Sequence, residues 1–433
     1  MKNKVLGLNS RNHLYTSRYN TKRGKKIANS KLLTKKVLRE SGIRVPKTYG
    51  IIHDREELEQ LDWLSLPRNG FVIKPNNGLG GQGILIIDRA GKYAGEWLDG
   101  DGNKLTIADL KLHLGDILQG RYSMDDLADK AYIEELIRVH PVFKKYVYHG
   151  TPDIRVIVFN RVPIMAMLRL PTEESGGKAN MYQGAVAVGV DIATGVTTYA
   201  VHHAKLITFL PGTRRKVRHL QIPGWDEVLE TAVKVQEAVP LGYLGVDLVL
   251  QPKYNRKGEL VGEQAVVLEI NAQPGLKIQL TNMAGLWERL QRIEGLKITS
   301  VKQGVRVGRA LFADPRLTEK GLGRKTIGVV EEVELVDDKG EKVKCKAKID
   351  TGADSSSIDR KLAEELGLLK RSNVLYENYF RSALGRRKRL VVQGTFYLAG
   401  RKIKSLFSIT DRSRLKYKVL IGKRDLKGFV IVP

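Results

Sequence analysis

Two short stretches hold residue types that could do chemistry. The first is Leu268-Glu269-Ile270-Asn271-Ala272-Gln273-Pro274-Gly275, preceded by Gly245-Val246-Asp247. Glu269 and Asn271 are two apart, so on a strand both side chains leave the same face. Asp247, on a neighbouring strand, can point there too. Two carboxylates and an amide oxygen form a hard-oxygen set suited to Mg²⁺ or Mn²⁺ shared with nucleotide phosphates. The competing reading is acidic residues at strand ends facing water. The second stretch is Ile349-Asp350-Thr351-Gly352-Ala353-Asp354, a hydrophobic strand running into a small-residue turn with a carboxylate at its tip. Two such carboxylates sharing a proton can cleave a peptide, one as base toward water and one as acid, because like charges held together cannot both ionise. The chain has a single Asp-Thr-Gly, so a working site needs two copies, a homodimer or higher. The alternative is an inactive turn in a binding or dimerisation module.

A third feature could hold phosphate. Phe71-Val72-Ile73-Lys74-Pro75 puts a lysine at a strand end, and Asn76-Asn77-Gly78-Leu79-Gly80-Gly81-Gln82-Gly83 follows at once. Backbone N–H groups of Gly80, Gly81, Gln82 and Gly83 can close over phosphate oxygens, with Lys74 as a nearby point charge. The GxxxxGK[ST] pattern is absent. Alone, the loop reads equally well as a hairpin turn.

Regular elements must position these groups. Asn29-Ser30-Lys31 opens a helical pattern through about Glu40, with Leu32, Leu33, Val37 and Leu38 on one face and Asn29 or Ser30 as cap. Residues 71–74, 84–87, 154–159, 164–170, 185–190, 244–250 and 265–270 read as strands, and 226–239 as a helix. Glycines and mixed charge mark 301–326 as a linker. From Thr326 the texture becomes short strands at 327–336, 343–349, 390–398, 402–409 and 418–421, with a helix near 359–367. The expected fold is an α/β (α+β) body followed by a small, mostly β closed barrel. The expected divisions are a basic segment 1–28, a body 29–300, the linker 301–326 and a module 327–433.

The 433-residue chain carries a net charge of +27, unevenly spread. Residues 1–50 hold +13 and residues 301–433 hold +15, while the middle is near neutral. Basic ends attract an acidic partner such as RNA, a ribosome surface or a polyglutamate-like chain. Solvated surface explains the same charge, and no RNA-binding motif accompanies it. Cys345 is the only cysteine, which excludes an internal disulfide and suits a reducing cytoplasm. No apolar run is long enough for a membrane span and no secretory signal is evident. None of the eight histidines falls in the C-terminal module, so zinc is not supported there, and His202-His203 reads as a pair of strand neighbours.

In order along the chain, these motifs resemble the ATP-grasp superfamily, in particular its RimK-like ribosomal-protein glutamate ligases. The resemblance implies nucleotide lysines at Lys31 and Lys74, an adenine-cupping hinge at Glu134, Glu135, Leu136 and Ile137, and a ribose- and phosphate-holding segment at Asp153 and Arg155. It also implies phosphate-facing groups at Arg169, Lys178 and Asn180, and metal ligands at Asp247, Glu269 and Asn271. The implied chemistry uses ATP to phosphorylate a carboxylate, which an amine then attacks, with Arg155 and Arg169 stabilising the charge that develops. The implied partners are an amino acid and a peptide or protein acceptor. Such ligases carry an α/β domain ahead of the early lysine, whereas 30 residues precede Lys31 here. The module from about 326 resembles single-lobe retropepsin-like proteases and the bacterial family called ATP-dependent zinc proteases. There Asp350, Thr351 and Gly352 would be catalytic, Tyr379-Phe380-Arg381-Ser382-Ala383-Leu384-Gly385 would form the flap, and 417–422 the supporting strand. Two other readings remain: a ligase with a non-catalytic recognition module for an acidic protein or RNA, and a basic RNA-associated factor using ATP as a switch.

Overall fold

The computed structural model describes residues 5–432 apart from 79, 124–126, 315–324 and 383–384. The chain divides into two units, 1–292 and 293–433.

Two antiparallel sheets build the first unit. One has six strands: β1 (Thr48–Ile52), β2 (Phe71–Pro75), β3 (Leu85–Ala90), β4 (Glu96–Asp99), β5 (Lys104–Thr106) and β6 (Ala131–Glu135), in the order β1-β6-β2-β3-β4-β5. Alternation along β2 sorts its side chains. Phe71 and Ile73 pack into a core with Ile87, Trp97, Ile133 and the helix Ile107–Leu118, while Val72 and Lys74 face the opposite way, into a cavity.

The other sheet has seven strands: β7 (Asp153–Phe159), β8 (Val162–Leu170), β9 (Val186–Val190), β10 (Thr197–His202), β11 (Lys205–Ile207), β12 (Tyr243–Tyr254) and β13 (Leu260–Asn271), in the order β11-β10-β9-β8-β7-β12-β13. The central strands β7 and β8 are buried almost throughout, which fits their apolar stretches at 156–159 and 162–168. The helix Trp225–Ala238 covers one face with Trp225, Val228, Leu229, Ala232 and Val235. Register does the rest: Arg169 lies opposite Asp153, Arg155 opposite Asp247, and Asp247 opposite Glu269.

The helix Lys31–Glu40 starts where expected, with Ser30 accepting from the Leu33 N–H. Its buried face differs from the expected apolar stripe. Thr34, Lys35 and Leu38 are buried, whereas Leu32, Leu33 and Val37 are half-exposed. Lys35 tolerates burial because it has a carboxylate partner, Glu134.

The basic N-terminal residues are bonded into this unit rather than forming a separate segment. Asn20 donates its amide to the carbonyls of Tyr243 (2.7 Å) and Ala272 (2.9 Å) and accepts from the Tyr243 N–H (2.9 Å). Arg11, in a short π-helical stretch Arg11–Thr16, donates to the carbonyls of Gln273 and Pro274. Both residues tie down the loop that follows Asn271.

In the second unit, β15 (Val330–Val336), β16 (Lys342–Asp350), β21 (Val419–Gly422), β17 (Ser357–Asp359), β20 (Arg401–Thr410) and β19 (Gly385–Leu398) pair in that order. Pairing of β19 back to β15 closes a six-stranded barrel around Val333, Leu335, Val392, Phe396, Phe407 and Ile421. Strand β18 (Val374–Ser382) adds to the outside of β19, and β14 (Lys325–Ile327) pairs with β22 (Phe429–Ile431). The first half of the expected linker is a helix, Val301–Phe312, capped by Ser300. Gly304 and Gly308, which suggested a loop, lie buried on its inner face, so they act as small packing residues rather than breakers. The rest of that linker falls largely on 315–324, outside the described residues, as do Ala383 and Leu384 of the expected flap.

Candidate nucleotide and metal site

A cavity of about 400 Å³ opens in the first unit. It gathers nearly every group the sequence singled out. From β2 and β6 come Lys74, Glu134 and Glu135, with Leu136 and Ile137 following β6. Lys31, Gly80, Gly81 and Gln82 line one side, and Lys178 and Asn180 belong to a facing loop. The floor is the charged row of Asp153, Arg155, Arg169, Asp247, Glu269 and Asn271. Gly83 is the exception. A Cβ there would meet the Tyr122 ring at 2.7 Å, and its carbonyl lies 3.0 Å from His113 Nε2, so it stands outside the wall. Leu79 lies outside the described residues.

Three lysines and one glutamate organise the glycine-loop side. Glu134 is almost fully buried, 2.5 Å from Lys74 Nζ through one oxygen and 2.5 Å from Lys35 Nζ through the other. Burial alone would raise its pKa, but Lys74 and Lys35 together hold it below the usual carboxylate range. Glu134 therefore fixes Lys74 at the cavity wall. Lys31 donates to the carbonyls of Gly78 (2.8 Å) and Asn76 (3.3 Å), shaping the loop from beneath, and burial lowers its pKa. Asn180 donates to the Gly80 carbonyl at 3.0 Å, joining the two loops. Glu135 takes Arg44 (2.6 Å), the Lys47 N–H and Gln251, which anchors the end of β6.

The floor is a chain of ion pairs. Arg155 grips Asp247 with two bonds, Nε to Oδ1 at 2.7 Å and a second to Oδ2 at 2.6 Å. Arg169 grips Asp153 with two bonds of 2.5 Å and also reaches Asp247 Oδ2 at 2.8 Å. Burial opposes ionisation of Asp247, yet Arg155 and Arg169 outweigh it and hold its pKa well below the ordinary range. Asp153 is paired with one arginine where Asp247 is paired with two. Burial, with Asp247 beside it, pushes it up to about 6 against the pull of Arg169. Glu269 is different in kind, with 41% of its side chain exposed and Arg155 no closer than 4.0 Å. Asn271 Nδ2 sits between the acids, 3.3 Å from Asp247 and 3.4 Å from Glu269.

Lys35, Arg11, Asn20 and Asp129 escaped sequence reasoning. Asp129 accepts from the Asn77 backbone and side chain, both at 2.8 Å, and so sets the loop entry. Only Lys35 left a usable signal, since it falls one helical turn after Lys31.

In the second unit Asp350 ends β16 beside Gly422, and its Oδ1 accepts from the N–H groups of Gly352 (2.9 Å) and Ala353 (3.1 Å). Thr351 and Gly352 are exposed at the turn. Asp425 accepts from the hydroxyls of Ser356 and Ser405, and burial raises its pKa.

The profile of the family described as sugar-transfer associated ATP-grasp matches residues 10–295. The chain belongs to that family. Its matched span includes the N-terminal helices, consistent with their bonding into the first unit. ATP-grasp enzymes use ATP and Mg²⁺. None of the curated proteins matches the chain. Among solved structures, D-alanine–D-alanine ligase from Bacillus anthracis complexed with ATP is 15% identical, covering 67% of this chain and 68% of its own, with a TM-score of 0.32. The ATP-grasp ligase PsnB, complexed with a phosphomimetic variant of its minimal precursor, Mg and ADP, is 16% identical over 64% of this chain and 60% of its own, with a TM-score of 0.32. A Legionella pneumophila protein of unknown function is 20% identical over 25% of this chain and 93% of its own, with a TM-score of 0.18. Among the described residues, no helix is long and apolar enough to cross a membrane.

Proposed function

We propose that the first unit is an ATP-dependent carboxylate–amine ligase of RimK-like type. It would add an amino acid, glutamate in the first instance, to a peptide or protein carboxylate through an acyl phosphate. One observation carries this reading: the lysine-bearing glycine loop and the Glu269–Asn271 row wall the same cavity. The donor set fits a hard divalent cation. Glu269 has a carboxylate facing the cavity with only long contacts to Asn271 (3.4 Å) and Arg155 (4.0 Å), and the Asn271 amide stands between two acids, where rotation about its last bond would present Oδ1 instead. Asp247 has both oxygens engaged by arginine, so its stronger role is to hold Arg155 and Arg169 in place. Mg²⁺ bound at this site would supply neutralisation of phosphate charge.

The chain's own groups would do the rest. Backbone N–H groups of Gly80 and Gly81 and the Lys74 ammonium would orient the terminal phosphates of ATP. A carboxylate oxygen of the acceptor would bond to the γ-phosphorus as the bond to the β-bridging oxygen breaks, releasing ADP. The amine would then bond to the acyl carbon, expelling phosphate and losing a proton. Arg155 and Arg169, fixed by Asp247 and Asp153, would face these charges without having to reorganise.

For the second unit the reading is an aspartyl-protease-like module that processes the ligase product. Support comes from the Asp350 carboxylate held by two backbone N–H groups at a closed barrel. With one such carboxylate per chain, the activity would need a homodimer. A recognition module for an acidic protein or RNA is the second reading, favoured by exposed Arg387 and Lys388 on β19.

The test is mass spectrometry of candidate acceptor peptides incubated with the protein, ATP, Mg²⁺ and amino acids, with ADP followed in parallel. The sugar-transfer association in the family's description adds acidic sugars to the acceptors to be tried. Amino-acid additions that vanish with Glu269→Ala support the ligase; unchanged ADP release with that variant removes Glu269 from the mechanism. Cleavage that persists with Asp350→Asn removes the protease reading.

A further inference from the structure

His202 ends β10 and His203 follows it, so a regular strand would send their rings to opposite faces. The hairpin overrides that rule. His203 and Ala204 form the two-residue turn into β11, with φ of 46° and 63°. Turns of this hand ordinarily use Asn-Gly, because a Cβ is disfavoured there. Here the turn brings the His203 ring beside His202, with centroids 4.2 Å apart. A third group arrives from another part of the chain. Glu174 Oε1 lies 2.7 Å from His203 Nε2, and Oε2 lies 3.2 Å from His202 Nε2. The Glu174 side chain runs across Gly184, where a Cβ would come within 2.6 Å of Glu174 Cδ. His202 Nε2 is also 3.0 Å from the Gly184 carbonyl oxygen. One ligand atom from each of the three side chains falls within 4.8 Å of the others.

We infer that Glu174, His202 and His203 bind a borderline divalent transition-metal ion of the Zn²⁺ or Co²⁺ class, separately from the Mg²⁺ site at Glu269 and Asn271. Two imidazoles and a carboxylate are the donors such ions select, whereas Mg²⁺ selects oxygen alone. Metal–ligand lengths near 2.0–2.1 Å place tetrahedral ligands roughly 3.3 Å apart. The 3.2 Å contact of Glu174 with His202 matches that spacing, the 2.7 Å contact with His203 through the other oxygen would lengthen, and all three ligand atoms already lie within 4.8 Å of one another. On metal binding His202 would exchange the Gly184 carbonyl for the ion. Glu174 and His203 are about half exposed (53% and 52%), which leaves a path for entry and a fourth position for water.

The consequence lies in the intervening chain. Glu174 and Gly184 bracket the segment carrying Lys178 and Asn180, and Asn180 bonds to Gly80. A bound ion would fasten the hairpin tip to that segment and order the loop over the cavity. Metal binding itself does not depend on the ligase reading.

The full chain, stripped with EDTA and then held in saturating Mg²⁺, is titrated with Co²⁺ and followed by visible absorption; Zn²⁺ uptake is measured by equilibrium dialysis. One equivalent per chain is expected, with Zn²⁺ slowing hydrogen exchange in residues 174–184. His203→Asn, which suits a left-handed turn, and Glu174→Gln should each weaken binding about tenfold or more, since losing even an outer-shell partner costs that much. Glu269→Ala should keep the Co²⁺ signal. Failure of stoichiometric uptake, equal uptake by the His203→Asn and Glu174→Gln proteins, or loss of the signal with Glu269→Ala would each overturn the inference.

Discussion

Replacing Asp247 with alanine distinguishes an arginine anchor from a plain metal ligand. Asp247 is 1% exposed and holds Arg155 by two bonds and Arg169 by one. After Asp247→Ala, Arg169 retains Asp153 at 2.5 Å, but Arg155 is left with Glu269 at 4.0 Å. The Arg155 side chain is 11% exposed, so a largely buried guanidinium loses its counter-ion. Removing one partner of a buried pair costs about 3–5 kcal/mol. At about 2–4 °C per kcal/mol for a unit of this size, Tm should fall by roughly 6–20 °C. All four tryptophans (Trp63, Trp97, Trp225 and Trp287) lie in the first unit, so tryptophan fluorescence in EDTA reports its melting. Asp247→Asn, which keeps the shape and one acceptor, should lose less. If Asp247 served chiefly to hold a cation, its removal would relieve repulsion with Glu269 and Asp153 and leave the metal-free Tm unchanged or higher. That result would refute the anchoring argument.

Two further outcomes follow from packing and burial. A Cβ added at Gly189 would lie 2.1 Å from the Thr281 carbonyl oxygen, a backbone atom that cannot swing aside, so Gly189→Ala should destabilise the first unit by about 1–3 kcal/mol in the same melting assay. Asp425 has a folded pKa raised by burial, so its folded form favours the proton and its contribution to stability falls as pH rises through and above the unfolded value of 3.8. Asp425→Asn should therefore gain on the parent protein as pH goes from about 4 to 8, read by hydrogen exchange of β16 and β21 amides; a pH-independent difference would contradict the assignment.

Much of this organisation could be read from residue order, because the strands of the second sheet are long, apolar and separated by clear turns. Glu269 and Asn271 on one face followed from the two-residue period, while the place of Asp247 opposite Glu269 needed the β12–β13 register. What escaped was partnership. The apolar pattern of the helix Lys31–Glu40 gives no sign that Lys35 is buried, because its partners, Glu134 and the Pro46 carbonyl, lie outside that helix. Asp247 reads as a metal ligand, and the register of β8, β7 and β12 shows two arginines claiming it. Gly304 and Gly308 suggested a loop because sequence cannot tell a helix breaker from a small packing residue. His202-His203 read as strand neighbours because the left-handed turn that brings their rings together uses neither Asn nor Gly.

Equilibrium binding of ATP to the full chain by calorimetry, with and without Mg²⁺, tests the shared cavity directly. One Mg²⁺-dependent site per chain is predicted, weakened about tenfold or more by Lys74→Met, which removes a charge-assisted contact worth about 1.5–3 kcal/mol, and made insensitive to Mg²⁺ by Glu269→Ala. Nucleotide affinity that neither variant alters would contradict the account.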